Sequence, residues 1–177
     1  YDTLQLYKNL CILAIKVLIL SISCKIKSLF GVEVKLNDWE NRLADYIEEV
    51  RDTKFSWGLH DCVVFANQCI KVQTGKGFFD DYMPDYKTAL QANRTYRNIL
   101  VDLKVATIKD AIDTKLKRFY GLVPPKGSIV CREITQRIEY GIGYNLGVAI
   151  DHRAGFTSHE GLVFAKVNTK DVFWTVD

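Results

Sequence analysis

Apolar and polar positions divide the chain into three stretches with different periods. In the first, residues 10–24 read LCILAIKVLILSISC, apolar except for Lys16 and two serines, with Lys8 before the run and Lys25 and Lys27 after it. Leu6, Leu10, Leu13, Val17 and Leu20 recur at helical spacing, while Cys11, Ile12, Ile15, Leu18 and Ile19 fill most of the remaining circumference. A helix with so little polar face must be covered on more than one side. The run is shorter than the roughly 18 apolar residues of a spanning helix and carries a lysine inside it. The expectation is a helical segment, residues 1–33, that docks on its own domain, on an assembly partner or on a membrane surface, followed by a main domain over 34–177.

The second stretch has helical periodicity. Asn37 followed by Glu40 is a capping pattern, and Trp39, Leu43, Tyr46, Ile47 and Val50 repeat behind it, which predicts a helix over 38–51. A polar link, Arg51 to Lys54, and an aromatic turn, Phe55-Ser56-Trp57-Gly58, lead to a second helix with Val63, Ala66, Cys69 and Ile70 as its buried stripe, ending near Gly75 and Gly77. Residues 78–86 read as a loop over the surface. Thr88 can cap a short helix to about Asn98, and Thr107 with Asp110 opens another over 108–119, with Ile108, Ala111, Ile112, Leu116 and Phe119 on its apolar side.

After Gly127 the period shortens to that of strands. Ser128–Ile134, Leu146–Ile150, Gly161–Val167 and Val172–Val176 are β-rich runs separated by turn residues. Helices first and an antiparallel meander second describe an α+β domain with its helices on one side of a small sheet.

Composition narrows the function classes. At 177 residues, 48% hydrophobic and 25% charged, the chain can bury a core and is not a disordered one. Its 24 basic and 21 acidic residues are interspersed, so the net charge of +3 outlines no nucleic-acid groove. Five cysteines, Cys11, Cys24, Cys62, Cys69 and Cys131, fit neither a disulfide framework nor a zinc knuckle and are read as reduced. No phosphate loop or dinucleotide signature occurs, and neither a metal nor a cofactor is expected.

The chemistry-bearing block is Phe55-Ser56-Trp57-Gly58-Leu59-His60-Asp61-Cys62. It places Cys62 in the first turn of a helix, where backbone N–H groups and the helix dipole favour a thiolate and can receive an oxyanion. The alternative is a small buried apolar Cys62 with His60 on a surface loop. The run WGLHDCVVFANQCI, the preceding helix RLADYIEEVRDTKF, the segment Pro125-Lys126-Gly127-Ser128-Ile129-Val130 and the closing strands resemble the small phage-encoded proteins related to the NlpC/P60 cysteine peptidases, which occur beside tail genes of siphophages, prophages and gene transfer agents. The likeness spans about residues 37 to 177.

This resemblance implies an NlpC/P60, papain-like α+β fold, with Cys62 at the nucleophile position, Asp61 as the acidic residue before it, and Ser128 where aspartate is usual. It also puts Asn145 where the catalytic histidine belongs, and an asparagine cannot take the proton. Three histidines could substitute: His60 if the turn folds back, His152 beyond the second strand, and His159, with Glu160 beside it. Two functions therefore stay open. One is a cysteine peptidase or amidase that cleaves peptidoglycan stem peptides. The other is a noncatalytic tail-tip or hub protein, assembled in the bacterial cytoplasm into the virion tail, whose partners are other tail proteins and peptidoglycan.

Overall fold

The computed structural model describes residues 35–82, 86–134 and 143–177, and the expected docking segment 1–33 lies outside the described residues. Helix α1 spans Trp39–Glu49 and buries Leu43 completely. The Asn37 and Glu40 cap does not form. Asp38 holds the N-cap position and turns its carboxylate to Arg42 Nε at 2.8 Å instead of to the helix N–H groups. Helix α2, Cys62–Thr74, closes at Gly75 in the left-handed region, φ 88°, a conformation suited to glycine. Much more than one stripe of α2 is buried, because the helix packs against both α1 and the sheet.

The segment after α2 is not the surface loop that its aspartates and tyrosines suggest. Phe78, Phe79 and Tyr86 are all buried in the core, around a 3₁₀ turn at Asp80–Tyr82. Asn67 on α2 fixes it, donating to Asp80 at 2.8 Å and accepting the Phe79 N–H at 2.6 Å. Helix α3, Ala89–Asp102, starts at the Thr88 cap and runs past the expected Asn98, since Ile99 continues the buried stripe of Ala92 and Tyr96.

Helix α4 begins with the expected Thr107–Asp110 capping box but covers only Ile108–Asp113, and residues 117–119 of the expected helix are a strand. Thr114 Oγ1 donates to the Ala111 carbonyl, and Arg118 returns to Asp113 with two bonds of 2.7 Å, which turns the chain back. Pairing with the last strand then outweighs the helical spacing of Leu116 and Phe119.

Six strands follow: β1 Lys117–Phe119, β2 Ile129–Glu133, β3 Tyr144–Ile150, β4 Arg153–Ser158, β5 Gly161–Lys166 and β6 Val172–Thr175. They form one antiparallel sheet in the order β1-β6-β2-β3-β4-β5. Strands β1 and β4 are additions to the four that the pattern predicts. The start of β4, Arg153-Ala154-Gly155, reads as part of a turn because Ala154 and Gly155 are small. Tight strand contact requires this: a Cβ on Gly147 would stand 2.3 Å from the Gly155 carbonyl oxygen, and the Phe164 ring covers Gly155 from the paired strand.

Alternation along the strands separates two apolar layers. Ile129, Cys131, Leu146, Val148 and Trp174 join the helices in the main core, whereas Val130, Ala149, Ala154, Phe156 and Phe173 form a second cluster on the opposite face. Arg132 draws the β5–β6 connection toward this second face, pairing with Asp171 at 2.6 Å, donating to the Lys166 carbonyl and lying over the Phe156 ring. Helices before strands, on one face of an antiparallel sheet, make an α+β domain.

Candidate active site

The turn before α2 is built by its own backbone. Ser56 and His60 exchange backbone hydrogen bonds of 2.8 and 3.3 Å, and the Phe55 and Trp57 rings meet edge to face at 4.8 Å. Gly58 has φ 73°, and a Cβ there would come within 2.0 Å of the Tyr86 carbonyl oxygen, so no larger residue fits.

Asp61 anchors the arrangement. Its side chain is fully buried, one oxygen accepting the N–H groups of Val63 and Val64 at 3.0 Å, the other accepting the Gly58 N–H at 2.9 Å and the Tyr86 hydroxyl at 2.5 Å. Tyr86 in turn meets the Tyr96 hydroxyl at 3.0 Å. Burial and the Asp61 charge push both phenols up, so both stay protonated. The carboxylate caps α2 through the N–H groups of Val63 and Val64.

Cys62 is half-buried at that helix start. Burial pushes its thiol up to about 12; the N–H of Leu146 on β3 opposes this, the Asp61 charge adds to it, and the N–H groups of Cys62 and Val63 again oppose it. The sulfur therefore meets the backbone of β3 at the Leu146 N–H, and it is a neutral thiol at pH 7. No imidazole is among the groups that act on it. Asn145 stands opposite Arg132, on the face of β3 away from α2, and buries its side-chain oxygen with no hydrogen-bond partner among the described residues.

The three histidines lie in different settings. His60 belongs to the same turn, but it is buried, only 4% exposed, with its ring edge against Phe65 and Nε2 unpaired among the described residues. His152 is exposed in the β3–β4 turn. His159 is exposed in the β4–β5 turn, beside Glu160, with its ring 5.8 Å from Phe55. Of the sequence candidates, the structure brings Asp61 and Cys62 together and directs the His60 ring to the core. Tyr86, Tyr96 and Leu146 complete the surroundings, and no local motif marks any of them.

His60 should make stability depend on pH. Burial lowers its pKa from the ordinary 6.5, against the opposing pull of Asp61. The unfolded chain then binds the proton more readily, so the stabilisation is complete above about pH 6.5 and is lost as the pH falls toward the folded value. Urea midpoints at about pH 7.5 and 5.5 should differ more for wild type than for His60→Gln, and equal differences would contradict the assignment.

The free cysteines of the described residues are Cys62, Cys69 and Cys131, and among these residues no cluster of three or more His, Cys, Asp and Glu can hold a metal. No described helix is long and apolar enough to cross a membrane. A family model described as "Domain of unknown function (DUF6950)" matches residues 34–176, and the chain belongs to that family. Neither a curated protein nor a solved structure matches it.

Proposed function

We propose that the domain is an NlpC/P60-type, papain-like fold that keeps the nucleophile position and has lost the base, and that it serves as a noncatalytic tail-tip or hub component of a phage or gene transfer agent. One observation supports the noncatalytic reading: the groups that act on the Cys62 thiol are the backbone N–H groups of Leu146, Cys62 and Val63 and the Asp61 carboxylate, and none is an imidazole. The resemblance gives the base position to Asn145, and an asparagine neither accepts a thiol proton nor returns one to a leaving amine. The phage setting rests on the resemblance of the WGLHDC block. In that setting the fold is assembled in the host cytoplasm and ends at the virion tail tip, against other tail proteins and peptidoglycan.

The alternative, an active peptidase or amidase, draws on the N–H groups of Leu146, Cys62 and Val63 converging on the Cys62 sulfur. Alkylation of Cys62 against pH separates the two, with Cys62→Ala subtracting the other thiols. Wild type should react slowly at neutral pH, without the low-pH profile in the roughly 3.5 to 7.5 range of paired thiolates, and release nothing from peptidoglycan fragments. Fast alkylation of wild type near pH 6, with fragment cleavage lost in Cys62→Ala, would establish the peptidase instead.

A further inference from the structure

Helix α3 carries a solvent-facing seam, apart from Cys62 and independent of the reading above. Its inward stripe is Ala92, Tyr96 and Ile99, and its opposite side presents Leu90, Arg94, Arg97 and Val101. Steps of four, three and four residues set these four in one line along the helix, at the 3.5-residue period of a coiled-coil seam. All four are exposed, Leu90 by 57% and Val101 by 73%. The two apolar ends are about 16 Å apart along the axis, with both arginines between them.

These arginines lack the counter-charge that others have. Arg42, Arg51, Arg118 and Arg132 each hold a carboxylate at 3.2 Å or less, whereas Arg94 and Arg97 form no ion pair among the described residues. One turn away, Arg94 has Leu90, Gln91 and Asn98, Arg97 has Asn93, Leu100 and Val101, and each has the other. Like charges at this spacing weaken a helix until an anion meets them. Exposed Lys87 and Lys104 extend the positive charge beyond both ends, and the one acid between them, Asp102, lies about 100° around the helix from Val101.

The pattern selects the occupant. A second copy laid antiparallel would match Leu90 with Val101 but set Arg94 against Arg97. A lipid surface takes up a continuous apolar face, and here two arginines interrupt it. The phosphates of a nucleic acid would leave Leu90 and Val101 with nothing to pack on. A helix with carboxylates at the middle of its own seam and apolar residues at the ends satisfies all four positions.

We infer that α3 docks an amphipathic helix of a partner protein, its acidic side chains on Arg94 and Arg97 and its apolar ones on Leu90 and Val101. Three fluorescent, alanine-rich helical peptides of about 20 residues serve as probes against the full chain, each with a Leu-X-X-Leu seam at the same spacing and X glutamate, glutamine or lysine. Polarisation should rank them glutamate, glutamine, lysine, and binding of the first should weaken as salt rises. Arg94→Glu with Arg97→Glu should weaken the glutamate probe by about tenfold or more and reverse the ranking, with the urea midpoint unchanged because both side chains are exposed. Leu90→Ala with Val101→Ala should weaken all three probes and keep their order. Absence of saturable binding of the glutamate probe, equal binding by either double variant, or a preference for phosphatidylglycerol vesicles or duplex DNA over that probe would each overturn the inference. A dimer in sedimentation that the arginine variant dissolves would do the same.

Discussion

Replacing Asp61 with alanine should lower the unfolding free energy by about 4 kcal/mol or more, enough to leave little folded chain at 37 °C. Four donors converge on this carboxylate from three places in the chain: Gly58 in the aromatic turn, Val63 and Val64 at the head of α2, and Tyr86 beyond the 3₁₀ turn. Alanine leaves the Gly58 donor unpaired and the Tyr86 hydroxyl with only Tyr96, where water does not reach easily, and it removes the cap of α2 as well. Asp61→Asn should cost about half as much, because its carbonyl oxygen still serves Val63 and Val64 while its amide confronts Gly58 N–H. Tyr86→Phe, which removes one donor together with its hydroxyl, should cost about 1 to 2 kcal/mol. Urea unfolding followed by tryptophan fluorescence gives all three values. A loss below about 1 kcal/mol in Asp61→Ala would show that the network is not what holds the turn to the helix.

Trp174→Ala should cost about 3 to 5 kcal/mol. Trp174 has no exposed surface and lies on β6, paired with Arg118 on one side and Ile129 on the other. Its indole N–H donates to Asp113 Oδ1 at 2.7 Å, tying the end of α4 to the sheet. Truncation opens a cavity between strands and helices and frees the short strand β1. Trp174→Phe refills most of the volume, and Asp113 keeps both bonds from Arg118, so the loss should fall to about 1 to 2 kcal/mol. Chemical denaturation of the two variants distinguishes volume from hydrogen bonding; equal losses would mean that the indole N–H, not its bulk, is what matters.

Helices α1 and α2 and the strands β2, β3, β5 and β6 are visible in the sequence because each combines an apolar period with a stop signal. Trp39, Leu43 and Ile47 carry α1, and Gly75 ends α2. Strand β1 is not visible, since Leu116 and Phe119 sit equally well on a helix, and only the β6 backbone decides between the two. Strand β4 is hidden for the opposite reason: Ala154 and Gly155 have weak strand preference, and their small size is needed by neighbours distant in sequence. Residues 78–86 look solvated because Asp80, Asp81 and Tyr82 are polar, while Phe78, Phe79 and Tyr86 are pulled inward by Asn67 and Asp61.

The sequence by itself determined an α+β domain and a cysteine at the head of its second helix with an aspartate before it, because apolar period, capping residues and turn glycines act over a few residues each. Whether that cysteine has a proton acceptor was decided only by tertiary structure. Burial of the His60 ring, exposure of His159 at a hairpin, the approach of Leu146 to the sulfur and the enclosure of Asp61 by Tyr86 all join residues far apart in the chain. A thiol's ionisation follows the solvent and charges around it in space, and those are set by packing, which no local spacing records.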